Sequence, residues 1–217
     1  MSAWTVLVLA KAPRPGFSKT RLAPAFGPEG AARLAAAALA DTLDAVAATP
    51  AARRVLVLDG GPLDADGPYA VTLPSGVEQA AQAGGSHGDR IAAAFEQSIG
   101  PALLVGMDTP QVTPALLALP AVPGCDAWLG PAHDGGWWAL GLRHPRRDAR
   151  QVLAGVPMST PRTGAAQHRS LLAAGLRVAG LPQLRDVDEP DDALAVAALA
   201  PGTRFAAAVS TAVSTPA

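Results

Sequence analysis

Cysteine is nearly absent: Cys125 is the one thiol in 217 residues. An intramolecular disulfide is therefore excluded, as is a zinc site of the Cys-x-x-Cys type, and the residue reads as a small buried side chain. Aromatic residues make up 4% of the chain, and the acidic and basic counts nearly cancel, leaving a formal net charge of −1. No broad basic field exists to hold nucleic acid or an anionic membrane surface, so any anion site must come from a local cluster. No apolar run approaches the length of a membrane span. The first residues, Met1-Ser2-Ala3-Trp4 followed by the short run Thr5 to Ala10, lack a basic leader and a signal core. A cytoplasmic protein that touches neither membrane nor nucleic acid is expected.

What is present is a globular composition, 49% apolar and 16% charged, long enough to bury a core without covalent staples. Residues 1–200 read as one domain. Residues 201–217, rich in Ala, Ser and Thr without a convincing period, read as a loose tail. Apolar runs at Val6–Leu9, Arg54–Leu58, Ala102–Gly106, Asp126–Leu129, Trp137–Leu142 and Arg177–Leu181 read as strands, with Val71–Leu73 as a short further one. Helices are expected over Pro28–Ala48, Asp89–Ser98, from Thr113-Pro114, over Pro161–Ala174 and over Pro190–Leu199. In the first of these, Ala32, Leu39, Leu43 and Val46 share a face, with Arg33, Asp41 and Asp44 opposite. This alternation predicts an α/β fold with a mostly parallel sheet and helices on both faces, which binds ligands at the carboxyl ends of its strands.

The loop after the first strand carries four cations in eleven residues: Lys11-Ala12-Pro13-Arg14-Pro15-Gly16-Phe17-Ser18-Lys19-Thr20-Arg21. Lysine offers a point charge and arginine a planar fork, both suited to phosphate oxygens. The glycine spacing of a Walker loop is missing. A solvated basic loop would show the same charges, and position at a strand end favours phosphate. After the Ala102–Gly106 strand comes Asp108, within Gly106-Met107-Asp108-Thr109-Pro110. A carboxylate there is a hard ligand for Mg²⁺ or Mn²⁺, or a cap for the next helix. Arg185-Asp186-Val187-Asp188-Glu189-Pro190-Asp191-Asp192 could supply a second ligand, although acids ahead of a helix are also common caps. His133-Asp134-Gly135-Gly136 permits a tight turn close to a ligand, with Asp134 as a general base or a turn acid. Of Trp137 and Trp138, which alternate along a strand, at most one should face the cleft. Gly84 to Arg90, with Asp89 and Arg90, is a flexible stretch that could touch base or sugar.

In order along the chain, Lys11-Ala12-Pro13, Pro15-Gly16, Lys19-Thr20-Arg21-Leu22, Gly106-Met107-Asp108-Thr109-Pro110, Gly130-Pro131, Asp134-Gly135-Gly136, Ser159-Thr160 and Asp186-Val187-Asp188 resemble a bacterial family of small glycosyltransferase-like proteins. That family lies in the nucleotide-diphospho-sugar transferase superfamily, includes an arsenosugar-biosynthesis glycosyltransferase type, and is related to phospholactate and molybdenum-cofactor guanylyltransferases. The resemblance implies a glycosyltransferase-A-type (Rossmann-like) three-layer fold. By position it puts Lys19 and Arg21 on phosphate, Asp108 and Asp188 on a Mg²⁺ or Mn²⁺ ion, and Asp134 near the acceptor. Lys11, Ala12, Pro13, Gly16, Ser18, Asp89, Arg90, Gly106, Gly135 and Gly136 would complete the substrate contacts. The chain departs from the family in having His133 where many relatives carry an acid before the turn, Trp137 and Trp138 where tyrosine is frequent, and a shorter Ser86–Arg90 stretch. A single acid, Asp108, stands where Asp-x-Asp is usual.

The leading expectation is glycosyl transfer from a nucleotide sugar to a small acceptor. Nucleotidyl transfer from an NTP to a small phosphorylated substrate, with pyrophosphate release, is the alternative, and a noncatalytic nucleotide-binding protein is the third reading. Ala-rich helices leave a homodimer open.

Overall fold

The computed structural model describes residues 3–64, 66–120 and 122–214; Met1, Ser2 and the last three residues of the expected tail lie outside the described residues. Strands β1 (Thr5–Lys11), β2 (Arg53–Asp59) and β4 (Ala102–Gly106) form the centre of the sheet. Around them lie β3 (Glu78–Ala81), β5 (Ala127–Pro131), β6 (Trp137–Leu142) and β7 (Val178–Gly180). The seven strands run in the order β3-β2-β1-β4-β6-β5-β7. All are mutually parallel except β6, which is antiparallel to both neighbours and joins β5 as a hairpin.

The central strands are apolar on both faces because helices cover both. Val6, Val8, Leu56, Leu103 and Val105 pack on one side with Leu39, Leu43 and Val46 of α1 (Ala23–Ala48). Leu7, Val57 and Leu104 pack on the other with Ile91 and Phe95 of α2 (His87–Glu96) and Val152 of α4 (Pro145–Leu153). The short α3 (Pro114–Leu117) is capped by Thr113, whose hydroxyl accepts the Leu116 amide. α5 (Thr163–Ala173) and α6 (Pro190–Leu199) complete the order before a last helix, α7 (Arg204–Ser214). Among the described residues no helix is long and apolar enough to cross a membrane.

The long helix has an extra turn ahead of its expected start. Gly27, at φ 69° and ψ 165°, interrupts it immediately before Pro28. Glycine accepts that backbone without a Cβ penalty, and proline is suited to open the run that follows.

Three expectations are corrected. Val71–Leu73 is not a strand: Val71 is buried under the sheet while the edge strand forms at Glu78–Ala81. That strand pairs on one side and is largely exposed, so it needs no apolar run. α4 was not expected because its sequence is mostly polar, although Pro145 stands at a helix start.

The third concerns the segment from residue 201, which is not loose through residue 214. α7 lies on α1, with Phe205 and Val209 buried against Leu34, Ala38 and Val196. Its first turn is capped from afar. The Asp41 carboxylate accepts the Arg204 and Phe205 amides at 3.1 and 2.8 Å, and the Thr203 hydroxyl accepts the Ala206 amide. Asp41, read from the helical period as a solvent-facing acid, is instead covered by the helix it caps.

Candidate functional site

The loops at the carboxyl ends of β1 and β4, the β5–β6 hairpin and the segment ahead of α6 enclose two adjoining cavities of about 550 and 380 Å³. Leu9, Arg21, His87, Asp108, Ser159 and Asp188 line both, so they form the seam between the lobes.

The first loop folds back on β2: the Ala12 amide donates to the Asp59 carbonyl at 2.7 Å, and the Ser18 hydroxyl accepts the Arg14 amide. Lys11 stands over the Phe17 ring, 5.3 Å from its centroid. Lys19 has left-handed backbone, φ 50°, and its side chain is almost wholly buried. Its ammonium pairs with Asp108 and donates to the Val187 carbonyl. Arg21 pairs with Asp188. The Val187 amide in turn donates to the Asp108 carbonyl at 2.8 Å. One loop therefore ties the end of β4 to the Asp186–Asp188 segment through two ion pairs.

The lobes differ in charge. The smaller is lined by Lys11, Lys19, Arg21 and Arg90 with Asp108 and Asp188. The larger is lined by Asp108, Asp134, Asp186, Asp188, Glu189 and Asp192, with Arg21 as its one Lys or Arg among the described residues. This crowding acts on Asp186. Burial first, then repulsion from Asp134, Asp108 and Asp188, pushes its carboxyl up to about 6. The raised value makes the protonated form the stabilising one. That stability is fully present below the ordinary carboxylate range near 4 and is lost as pH rises through 6. In chelator-treated protein, Asp186→Asn is expected to be more stable than wild type at pH 8 by on the order of 1–2 kcal/mol, the linkage value trimmed for solvent access. The gain should vanish near pH 4. Urea titrations across that range check it, and parallel stability curves for the two proteins would refute it.

Asp134 sits in the hairpin turn, with Oδ1 accepting the Gly136 amide at 2.7 Å. Gly135, at φ 87°, is the position with no room: a Cβ there would lie 2.2 Å from the Pro161 carbonyl oxygen. The Gly164 amide also donates to the Gly135 carbonyl at 2.9 Å, so the turn is welded to the start of α5. Trp137 is half-buried on the cavity wall. Trp138 is buried beneath, its indole N–H donating to the Pro182 carbonyl at 2.9 Å. Both line the larger cavity, where at most one was expected to face the cleft.

Of the residues singled out in the sequence, Lys11, Ser18, Lys19, Arg21, Arg90, Gly106, Asp108, Asp134, Gly136 and Asp188 line the two cavities. Ala12, Pro13, Gly16, Gly135 and Asp89 do not. Ala12 and Pro13 are buried, Gly16 turns the loop at φ 73°, and Asp89 closes a capping box with Ser86. His87 lay in the stretch expected to touch base or sugar, Asp186 among the acids that could supply a second ligand, and Thr109 and Ser159 in the motifs of the resemblance, but none of the four was singled out as a site residue; His87 and Ser159 line the seam and Thr109 and Asp186 the larger cavity. Ser159 lines the seam with left-handed backbone, φ 56°, a conformation uncommon for a residue with a Cβ. Among the described residues no group of three or more His, Cys, Asp or Glu is arranged to hold a metal ion by itself.

Comparison with known proteins agrees with this architecture. Residues 42–160 match the family described as "Uncharacterized protein conserved in bacteria (DUF2064)". The chain is 32% identical to a phosphoenolpyruvate guanylyltransferase of Streptosporangium roseum, over 96% of this chain and 91% of that protein. A crystal structure of a candidate nucleotide-diphospho-sugar transferase from Desulfovibrio desulfuricans G20 superposes with a TM-score of 0.79 at 26% identity, covering 95% of this chain and 94% of the other. A nucleotidyl transferase from Methanothermobacter thermautotroptrophicus shares the fold, with a TM-score of 0.60, 16% identity and coverage of 90% and 96%. The chain belongs to the DUF2064 family, and it is a transferase with the nucleotide-diphospho-sugar transferase type of α/β fold.

Proposed function

We propose that the protein is a metal-dependent nucleotidyltransferase that joins the nucleoside monophosphate of an NTP to the phosphate of a small acceptor and releases pyrophosphate. The observation that carries this reading is full-length similarity to a guanylyltransferase, together with a cleft whose basic and acidic lobes meet at Asp108, Arg21 and Asp188. The relative's name makes GTP and phosphoenolpyruvate the first donor and acceptor to try. Glycosyl transfer, the leading expectation from sequence, becomes the second reading; similarity to the Desulfovibrio protein supports it.

The smaller lobe suits the donor. Lys11, Lys19 and Arg21 set positive charge where a triphosphate would lie. The larger lobe suits the acceptor, with Trp137 as an apolar wall and Asp134 at the mouth. An acceptor phosphate oxygen forms the new bond to the α-phosphorus as the α–β bridge breaks, and the electron pair leaves with pyrophosphate. An ionised phosphate needs no proton removed before it attacks, so Asp134 orients the acceptor. The donor set fits a hard divalent ion: Mg²⁺ is commonly held by one or two carboxylates and completes its shell with substrate phosphates and water, and Asp108 and Asp188 are two such carboxylates. The ion would neutralise the charge on the departing pyrophosphate. The acidic excess of the larger lobe agrees with a cation bound at the seam.

The test is incubation with GTP, phosphoenolpyruvate and Mg²⁺, with pyrophosphate and nucleoside diphosphate both measured. Acceptor-dependent pyrophosphate release is expected. Nucleoside diphosphate released from GDP- or UDP-sugars would instead support glycosyl transfer. Tight nucleotide binding without either product, across donors and acceptors, would leave a binding protein.

A further inference from the structure

We propose that His87 contacts the phosphate chain of the nucleotide at the seam between the two lobes, and so serves the transfer as a further substrate-binding residue; this rests on the nucleotidyl-transfer reading. His87 is the first residue of α2 and lines the smaller cavity, the larger one and a third of about 370 Å³ beside Arg150 and Met158. It shares the seam with Arg21, Asp108 and Asp188, the residues assigned to phosphate and metal. A side chain on both walls is placed to touch the group that passes from donor to acceptor.

The ring is already oriented. Its Nδ1 stands 3.4 Å from Nη2 of Arg90. Arginine only donates, so Nδ1 accepts, and in the neutral imidazole Nε2 carries the hydrogen. The ring is therefore a donor, as a phosphate oxygen requires. Arg90 is held in turn by Asp59 at 3.3 Å and by the Gln82 amide oxygen at 3.4 Å.

The surrounding charges predict how the ring responds. Burial, Arg90 and Lys11 lower its affinity for a proton, and Asp108 opposes them. Around it stand Arg90 and Asp89 from α2, Lys11 from β1, Asp108 paired with Lys19, Arg21 paired with Asp188, and Arg150 of α4 paired with Glu96. The free ring is thus mostly neutral near pH 7. A bound triphosphate adds negative charge beside it and draws a proton onto Nδ1, which then gives up its acceptor contact with Arg90 while Asp59 and Gln82 keep that guanidinium in place.

The test uses wild type, His87→Gln and His87→Leu, with GTP, ATP, CTP and UTP as probes, with Mg²⁺ and no acceptor, by calorimetry in two buffers of different ionisation enthalpy. His87→Gln keeps a neutral donor and cannot titrate; thermal melts confirm that both variants fold. For the nucleotide that binds, the Kd ratio of His87→Gln to wild type is expected to rise about 3–10-fold from pH 8 to pH 6. Wild type should take up more protons than the variant near pH 6.5, and His87→Leu should bind more weakly at both pH values. Equal pH dependence and equal proton uptake in wild type and His87→Gln would overturn the assignment and leave the nucleotidyl-transfer reading standing. Failure of wild type to bind any of the four nucleotides would overturn that reading and this assignment with it.

Discussion

Asp108→Asn is expected to lower pyrophosphate release by about 10²–10³-fold, the usual cost of removing one group aimed at developing transition-state charge. Asparagine preserves volume and an acceptor oxygen for Lys19 but removes the charge that the Lys19 ammonium uses and that the proposed divalent ion would use. Asp108 lies in both lobes, and its side chain is 52% exposed, so the substitution touches the cleft more than the core. Lys19 keeps the Val187 carbonyl as partner, which holds the first loop near its place. The loss should appear in turnover at saturating nucleotide, and raising Mn²⁺ should recover only part of it. A variant that retains a third or more of wild-type turnover would remove Asp108 from the metal site.

Phe205→Ala is expected to cost about 3–5 kcal/mol of folding stability, the range for truncating a buried aromatic. Phe205 is 1% exposed and sits with Leu34, Ala38, Val196 and Val209. That cluster joins α1, α6 and α7 and includes Val187, next to the site acids. Urea unfolding followed by circular dichroism should show one transition moved to lower denaturant. A loss below about 1 kcal/mol would mean that the last helix is not part of the cooperative unit.

Much of the sheet was legible because its interior strands have little freedom. Val6–Leu9 and Ala102–Gly106 must be apolar on both faces, and such runs stand out. Glu78–Ala81 carries no such signal, since an edge strand in water can be polar. The last helix was missed for a different reason: the carboxylate that caps it, Asp41, lies in another helix far away in sequence. In the cleft, Lys19, Arg21 and Asp108 could be picked out because charged residues after strand ends are conspicuous, whereas Asp188 stood out from its acidic neighbours only through the family resemblance. That Lys19 pairs with Asp108 depends on β1 lying beside β4, which no local pattern states. His87 stood in a glycine-rich stretch with no spacing to mark it, and its place at the seam follows from where α2 begins.

The antiparallel β6 divides the cleft by its construction. Lys11, Lys19 and Arg90 hang on the parallel half of the sheet, where each loop must lead into a crossover. Asp134 and Trp137 belong to a hairpin whose two strands hold each other in register from Ala127 with Leu142 to Gly130 with Ala139. Residues 132–136 can therefore be exchanged between relatives that keep Gly135, whose turn is packed against Pro161 and bonded to Gly164, leaving that ladder and the basic loop unchanged. On the proposed assignment of the two lobes, acceptor preference is the property that such grafts should carry from one protein to another, while the choice of nucleotide stays with the recipient.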